Sequence, residues 1–421
     1  MHFIRALLLA MLAGPSLWAA EWKFQFGSGP ALPGFTRVEP GTGYEGKRGF
    51  GFLPGATADA VVFALDVEEG NYEVTLRLGD VKAATKTTVK AESRRLMLHE
   101  VETKPGQFET RTFTVNVRKP AIAGGDMTKL KDREKGPPAA PDWDEQLTLE
   151  FNGKSAGVSA MQIRPSKKAI TVFVAGDSTV TDQPWGPYFG WGQMLPRFFK
   201  SSVAVSNQAE SGLALFSFEG GKRLKKIQSM MKPGDYLFIQ FGHNDQKDKR
   251  KDAGPFTTYK ASLKHYIAAV REKGGLPVLV APMERRRWNR GKMETTLDPY
   301  AEAVQQAGAE EKVPVIDLHA MSIALYRAFG SEASKKIFVH YPANTFPNRP
   351  EALNDDTHHN AFGGYELARC MVEGIKSQVP ELAKHLSEDC GSFDPAKPDD
   401  AEKFFIPWNV NAGPTVKPDG N

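Results

Sequence analysis

Cysteine is scarce in this sequence, and neither sign of charge dominates it. The 421 residues contain 2 cysteines, which are too few for a disulfide scaffold or a four-thiolate zinc site. The 54 lysines and arginines almost balance the 50 aspartates and glutamates, which leaves a formal net charge of +4. Binding to nucleic acid calls for a concentrated basic stripe, so this small surplus gives no reason to expect such a partner.

Several motifs that would announce another chemistry are missing. The sequence has no Gly-x-Ser-x-Gly elbow, no P-loop and no His-Glu-x-x-His pair. Residues 41–46 spell Gly-x-Gly-x-x-Gly, but the residues after them do not open a helix, so we interpret this stretch as a turn between strands. His340, His358 and His359 have no spacing that fixes the geometry of a metal site.

Long apolar runs are absent after the first twenty residues. The chain is 41% hydrophobic and 25% charged, which is an ordinary globular composition. Its length is sufficient for two hydrophobic cores. Residues 1–20 combine a weakly basic start, an apolar run at 6–13 and a small residue, Ala20, before the first acid. The run is too short to span a bilayer. We therefore expect a cleaved signal peptide and a secreted or periplasmic protein, with an uncleaved anchor as the alternative.

An exported chain would reach a compartment where disulfide bonds persist. Cys370 and Cys390 could then pair, although their spacing in the sequence does not prove it.

Residues 21–165 show short alternating runs without a convincing amphipathic helix between them. This pattern predicts an antiparallel β-sandwich of jelly-roll, galactose-binding-like type. Residues 121–142 are rich in glycine, proline and charge, which predicts a long exposed loop. The predicted strands are Val61 to Leu65, Tyr72 to Leu78, Thr87 to Ala91, Thr110 to Val117 and Gln146 to Phe151.

After residue 165, apolar β-branched runs alternate with helical stretches. This rhythm predicts a three-layer α/β/α domain over 166–392 with a five-stranded parallel sheet, followed by an irregular tail over 393–421. The predicted strands are Ile170 to Val174, Val203 to Ser206, Tyr236 to Phe241, Pro277 to Ala281 and Pro314 to Ile316. The predicted helices are Gly192 to Lys200, Gly221 to Met231, Thr258 to Lys273, Pro299 to Glu311, Met321 to Phe329 and Phe362 to Gln378.

Polar residues follow the strands of this predicted sheet. Ser178, Gly212 and Asn244 come after the first, second and third strands, and Asp355 and His358 come just before the last helix. Since the carboxyl ends of parallel strands share one rim, these residues should lie close together. A serine hydroxyl activated by an imidazole, a carboxylate that orients the imidazole, and donors for an oxyanion suffice for acyl transfer.

Four short blocks resemble those of the SGNH (GDSL-type) hydrolase superfamily. They are Gly-Asp-Ser-Thr-Val at 176–180, the glycine at 212, Gly-His-Asn-Asp at 242–245 and Asp-Asp-Thr-His at 355–358. More narrowly, the sequence is similar to the rhamnogalacturonan acetylesterase family, which also has counterparts of Gly-Trp-Gly-Gln at 190–193, Phe-Thr-Thr-Tyr-Lys at 256–260 and Asn360.

The resemblance implies a role for each residue of these blocks. Ser178 would be the nucleophile, His358 the general base and then acid, and Asp355 the carboxylate that orients His358. The Ser178 amide, Gly212 and Asn244 would form the oxyanion hole. The family removes acetyl groups from pectic polysaccharide, and the resemblance implies no metal and no organic cofactor. Asp356 with His359 is the competing pair, and the family spacing favours Asp355 with His358.

A basic run follows the fourth predicted strand and should lie on the same rim. Its residues Arg286, Arg287 and Trp288 are candidates for binding uronate carboxylates and sugar faces. A solvated loop is the alternative. We expect a monomer that acts on an acetylated acidic polysaccharide. Acetylated xylan as the substrate and a non-catalytic polysaccharide-binding protein are the other hypotheses.

Overall fold

The computed structural model describes residues 21–27, 29–55, 57, 59–136, 142–153, 157–346, 349–407 and 417–419. The predicted signal peptide, residues 1–20, lies outside these ranges. Within them, no helix combines the length and apolar character that a membrane crossing requires.

Alternating apolar and polar residues form the strands that precede residue 166. In the fifth strand, Val74 and Leu76 are buried whereas Arg77 is exposed, as expected for a strand with one face on a core. These strands are β1 (Trp22–Phe26), β2 (Thr36–Val38), β3 (Phe50–Phe52), β4 (Ala60–Asp66), β5 (Gly70–Leu78), β6 (Thr85–Ala91), β7 (Arg95–Thr103), β8 (Glu109–Val117), β9 (Ala121–Ile122), β10 (Asp126–Met127), β11 (Gln146–Asn152) and β12 (Val158–Pro165).

Two sheets of this region share one hydrophobic core. A 5-stranded sheet has the order β3-β4-β11-β6-β7, and β8, β5, β12, β1 and β2 form the neighbouring strands of the other sheet. Phe63 and Leu149 of the first sheet pack in the same cluster as Val74 and Met161 of the second. The region is therefore rich in strands, as predicted, while its jelly-roll type stays a prediction.

The segment predicted to be a long exposed loop, residues 121–142, is partly buried. Glu134 and Asp142 are both buried. Glu134 accepts a hydrogen bond from Trp143 Nε1 at 3.1 Å and forms an ion pair with Arg223 of the following region. A carboxylate is buried at tolerable cost only with such partners, which a count of glycine, proline and charge does not reveal. Residues 137–141 lie outside the described ranges.

The parallel strands after residue 165 follow the predicted alternation. The strands β14, β13, β15, β16 and β19 are neighbours in this order, and each pairs in parallel with the next. The strands are β13 (Ile170–Gly176), β14 (Val203–Asn207), β15 (Tyr236–Gln240), β16 (Leu276–Val280), β17 (Trp288–Asn289), β18 (Lys292–Met293), β19 (Val315–Ile316), β20 (Phe338–Tyr341) and β21 (Leu353–His359).

Helices cover both faces of these parallel strands, because their side chains are apolar on both faces. The helices are α1 (Trp191–Met194), α2 (Leu215–Gly220), α3 (Arg223–Met230), α4 (Lys260–Glu272), α5 (Asp298–Glu311), α6 (Leu318–Ala333), α7 (Ala361–Gln378) and α8 (Pro380–Ala383). One face packs against α1, α6 and α7, and the other packs against α2 to α5. The result is the three-layer α/β/α arrangement.

Two predicted helices differ from those observed. The stretch 192–200 contains only the short α1 and a 3₁₀ turn, Leu195–Phe198, whose second residue, Pro196, has no N–H to donate. The stretch 221–231 begins its helix only after Lys222, whose φ of 61° is left-handed and interrupts the chain between α2 and α3.

The two predicted units are joined by a continuous sheet. Thr114 and Val115 of β8 pair in parallel with Ala204 and Val205 of β14, so a 10-stranded sheet runs from β19 to β2. The edge of the parallel strands is therefore covered by β8 instead of being exposed.

The described part of the tail is irregular apart from one 3₁₀ turn, Ala401–Lys403. Phe404 and Ile406 of the tail pack against the core formed by α1, α6 and α7. Cys370 and Cys390 are free, so the possible disulfide is not formed. Cys370 instead packs as an apolar side chain of α7, where burial raises the pKa of its thiol well above the usual value.

Buried charges tie the N-terminal strands to the parallel sheet. The Arg95 side chain is 1% exposed and contacts Asp182 at 2.6 Å and Asp142 at 3.0 Å. Asp182 lies in the loop after β13, so this cluster bridges the predicted domain boundary.

Replacing Arg95 with methionine should leave Asp142 and Asp182 buried without their main cation. We expect Arg95→Met to lower the free energy of unfolding by about 3–5 kcal/mol in urea titrations. Arg111→Met is the matched control, since Arg111 pairs with Glu109 at the surface and its loss should cost less than about 1 kcal/mol. Equal losses of unfolding free energy in the two variants would contradict the conclusion that Arg95 stabilises the buried carboxylates.

Candidate active site

Three side chains form a continuous hydrogen-bonded chain at the rim of the parallel sheet. Ser178 lies in the turn directly after β13, and Asp355 and His358 belong to β21. His358 Nδ1 is 2.9 Å from Asp355 Oδ2, and His358 Nε2 is 2.8 Å from Ser178 Oγ. With Nδ1–H donating to the carboxylate, Nε2 is the acceptor that faces the serine hydroxyl. This arrangement can activate a serine hydroxyl.

The Asp355 carboxylate is held ionised by its contacts. Burial by itself would raise the pKa of Asp355, but hydrogen bonds from the His358 ring and from the backbone N–H groups of Thr357 and His358 outweigh it. The pKa of Asp355 therefore lies well below its usual value. An ionised carboxylate at this place fixes the tautomer of the imidazole and stabilises the imidazolium.

The competing pair, Asp356 and His359, is not formed. Asp356 accepts hydrogen bonds from His340 and Arg286. His359 packs against the aromatic ring of Phe338, and its Nε2 is 2.9 Å from the Tyr326 hydroxyl. Burial lowers the pKa of His359 to about 3, so this histidine is neutral at neutral pH. The pairing of β21 with β20 shifts register between Asp355 and His359, so simple strand alternation does not hold across this stretch.

A polar network positions the turn that carries the serine. Asp177 accepts hydrogen bonds from the backbone N–H and hydroxyl of Thr179 at 3.0 and 2.7 Å. Gln240 donates to the same hydroxyl at 2.8 Å and accepts from Trp191 Nε1 at 2.8 Å. Gln240 and Trp191 were not among the predicted site residues, although Gln240 ends the third parallel strand and Trp191 lies in the Gly-Trp-Gly-Gln motif.

The serine turn is linked to the segment that holds the predicted oxyanion-hole residue Gly212, because Gln183 Nε2 donates to Ser178 O at 2.6 Å and to Ser211 Oγ at 3.2 Å. Gly212 has a φ of 75°, a left-handed conformation that favours glycine. Asn244 is buried and its Nδ2 donates to Leu213 O at 3.2 Å, which places it next to Gly212. Within the described ranges, the backbone N–H groups of Ser178 and Gly212 make no hydrogen bond. Both donors are therefore available to a developing oxyanion.

The predicted sugar-binding run is only partly available. Arg286 is 8% exposed and is occupied by Ser331, Ser334 and Asp356, so it supports the β21 strand and is not free for a substrate. The backbone of Arg286 is tied to the same strand, because Arg286 N donates to Asp356 O at 2.8 Å.

The other two members of the run lie on a small hairpin. The Arg287 side chain is 64% exposed and pairs with Glu294 at 2.9 Å, and Trp288 begins β17 and is half-buried. The structure does not bring either residue into contact with Ser178, so their role in binding sugar stays a prediction.

One group of residues has the spacing of metal ligands. Ligand atoms of Glu284, Asp298 and His319 lie within 4.8 Å of one another. Glu284 accepts hydrogen bonds from the backbone N–H groups of Thr296 and Leu297, and His319 Nε2 is 2.8 Å from Asp298 Oδ1.

The fold and the hydrogen-bonded serine, histidine and aspartate define an SGNH-type hydrolase. Residues 174–364 match the GDSL-like Lipase/Acylhydrolase family. The chain is 42% identical over 223 residues to Rhamnogalacturonan acetylesterase RhgT of Bacillus subtilis (strain 168), a match that covers 52% of this chain and 95% of the relative. The chain belongs to the rhamnogalacturonan acetylesterase family of SGNH hydrolases, and it is a carboxylic-ester hydrolase.

A second relative extends over most of the chain. Uncharacterized esterase YxiM of the same strain is 27% identical over 416 residues, which is 89% of this chain and 97% of the relative. The crystal structure of Bacillus subtilis YxiM has a TM-score of 0.46 and 25% identity to this chain, and the match covers 85% of this chain and 98% of that one.

The neutral state of His359 makes stability depend on pH. Its pKa is about 3 in the folded chain, so between about pH 3 and about pH 6.5 the unfolded chain binds more protons. Stability contributed by this residue is present above that window and is lost as the pH falls. Between about pH 5 and about pH 6.5, we expect His359→Gln to reduce the slope of unfolding free energy against pH by roughly 1 kcal/mol per unit.

The control is His265→Gln, since the His265 side chain is 54% exposed and pairs with Glu219 at the surface. Urea titrations at several pH values give the slopes. Equal slopes of unfolding free energy against pH for the wild type and His359→Gln would refute the conclusion that His359 is neutral in the folded chain.

Proposed function

We propose that this esterase removes O-acetyl groups from pectic polysaccharide of the rhamnogalacturonan type, and that it is secreted. The observation that carries the proposal is the contact chain from Asp355 through His358 to Ser178, at 2.9 and 2.8 Å. The substrate class is supported by the relative named rhamnogalacturonan acetylesterase, which is 42% identical over 223 residues.

The first half of the reaction transfers the acetyl group to the protein. Ser178 Oγ attacks the acetyl carbonyl carbon while His358 Nε2 takes the hydroxyl proton. The carbonyl oxygen becomes an oxyanion. When this intermediate collapses, the bond to the sugar oxygen breaks and His358 gives its proton to that oxygen, so the deacetylated sugar leaves as an alcohol.

The second half regenerates the serine. A water molecule attacks the acetyl-serine carbonyl and loses its proton to His358. The bond to Ser178 Oγ then breaks, the serine regains a proton from His358, and acetate leaves. The backbone N–H groups of Ser178 and Gly212 and the side-chain amide of Asn244 stabilise both oxyanions, each contributing about 3 kcal/mol.

The N-terminal region has a supporting role in this proposal. Its β-sandwich of jelly-roll, galactose-binding-like type covers the edge of the parallel sheet and supplies Arg94, which donates to Gln183 O at 2.9 Å in the loop after the nucleophile. Gln183 in turn donates to Ser178 O at 2.6 Å. The change of sequence pattern at residue 165 therefore does not separate two independent parts, because residues on both sides of it support the active site.

Removing the hydroxyl of Ser178 should abolish acetate release. Ser178→Ala should lower kcat by several powers of ten on acetylated rhamnogalacturonan and on p-nitrophenyl acetate, because the nucleophile is lost. Ser229→Ala is the control, since its hydroxyl only caps a carbonyl within α3. Retained turnover in Ser178→Ala would contradict the mechanism. Acetate release from acetylated xylan but not from the pectic polymer would contradict the substrate assignment.

The two adjacent aspartates should differ sharply in their effect. Asp355→Asn disturbs the tautomer of His358 and should lower kcat about 10³–10⁴-fold on p-nitrophenyl acetate. Asp356→Asn is the matched variant, and its activity should stay within a few fold, since Asp356 contacts Arg286 and His340 instead. The opposite ranking would show that the second aspartate orients the base.

A further inference from the structure

A segment near the C-terminal end of the chain lies at the active site. Lys417 Nζ is 3.7 Å from Asp355 Oδ2, and Pro418 is buried. The Asp419 carboxylate is 3.1 Å from Lys131 Nζ, a contact between residues that are 288 positions apart. The chain thus places one of its own carboxylates beside the catalytic residues.

Lys131 and Asp419 flank the predicted oxyanion hole. Lys131 Nζ donates to Ser211 O at 2.5 Å. A Cβ atom built on Gly212 would lie 3.0 Å from Lys131 Nζ and 2.9 Å from Asp419 Cβ. A larger residue at position 212 would therefore crowd the Lys131 ammonium group and the Asp419 side chain, whereas glycine leaves space for both.

Lys131 is held in place from the N-terminal side. Its backbone N–H donates to the Glu134 carboxylate at 2.8 Å. Glu134 is fixed by Trp143 and by the buried Arg223. The ammonium group is thus presented at the rim by the segment that the sequence predicted to be an exposed loop.

The charge of Lys131 has one carboxylate partner in the described part of the chain. Glu210 is close by, but it pairs with Arg133 at 3.1 Å and accepts from Ser211 N. Asp419 is the carboxylate within 4 Å of the Lys131 ammonium. The two side chains are 31% and 56% exposed, and an ion pair of that exposure is weak. A carboxylate from solution can therefore replace Asp419.

We propose that Lys131 is a specificity-determining residue that binds a uronate carboxylate of the substrate, and that Asp419 occupies this position until the substrate displaces it. The proposal rests on the proposed function, because a pectic chain carries the carboxylates that the ammonium group would bind. It assigns to the N-terminal region a direct part in substrate recognition.

The subsite is tested with an inhibitor instead of the natural substrate. Digalacturonate should compete with p-nitrophenyl acetate, and galactobiose is the uncharged comparison. Lys131→Gln keeps a donor for Ser211 O but has no charge, and it should raise the inhibition constant of digalacturonate roughly fivefold. Lys129→Gln is the control, since this exposed lysine lies on the same segment two residues before Lys131.

Asp419→Asn tests the second half of the proposal. Without the internal carboxylate, the inhibition constant of digalacturonate should fall a few fold, and this gain should vanish when Lys131→Gln is also present. Equal effects of Lys131→Gln on digalacturonate and galactobiose would show that Lys131 only supports the Ser211 backbone, and would overturn the proposal. An unchanged constant in Asp419→Asn would also overturn it.

The two hypotheses fail in different ways. Inhibition that depends on Lys131, combined with no acetate release from acetylated rhamnogalacturonan, would sustain the subsite and reject the proposed function. Suppose instead that acetate release depends on Ser178 but inhibition by digalacturonate is the same with and without Lys131. This result would reject the subsite and leave the proposed function standing.

Discussion

The hydrogen bond between Ser178 Oγ and His358 Nε2 joins residues that are 180 positions apart. It forms only if the end of β13 and the strand β21 are held at one rim of the sheet. Hydrogen bonds through Asp177, Thr179 and Gln240 fix the first partner. The second partner, His358, is held by the ionised Asp355, which accepts a hydrogen bond from its Nδ1. A hydrogen bond weakens steeply as its distance and angle depart from the optimum. The packing of the whole parallel sheet is therefore needed to hold these two atoms in position.

The N-terminal strands contribute to the same constraint. Arg95 reaches across the predicted boundary to Asp182, and Arg94 contacts the carbonyl oxygens of Gln183 and Tyr188. Tyr188 packs edge-on against the His358 ring. Residues of the strand-rich region thus support both the serine loop and the histidine. The same region carries Lys131, so its proposed role combines support with recognition.

The sequence allowed much of the parallel sheet and its rim to be predicted. Strands buried on both faces are continuous apolar runs, and the residues that follow them must converge. Ser178 and Asn244 could therefore be placed before any contact was known.

The parts that were missed depend on pairing over long distances. The strand β21 contains the polar sequence Asn-Asp-Asp-Thr-His-His and has no apolar alternation to reveal it. Arginine is usually a surface residue, but the Arg286 side chain is buried because its guanidinium group donates hydrogen bonds to Asp356 and to two serines. Nothing local in the sequence shows that Lys131 and Asp419 meet.

The activated serine can be tested most directly with a reagent that needs no particular sugar. Diethyl p-nitrophenyl phosphate loses p-nitrophenolate when an activated serine attacks its phosphorus. We expect a single diethylphosphoryl group on the peptide that contains Ser178, detected by mass spectrometry, with loss of esterase activity in proportion to labelling. Complete inactivation with the label on a different residue would contradict it.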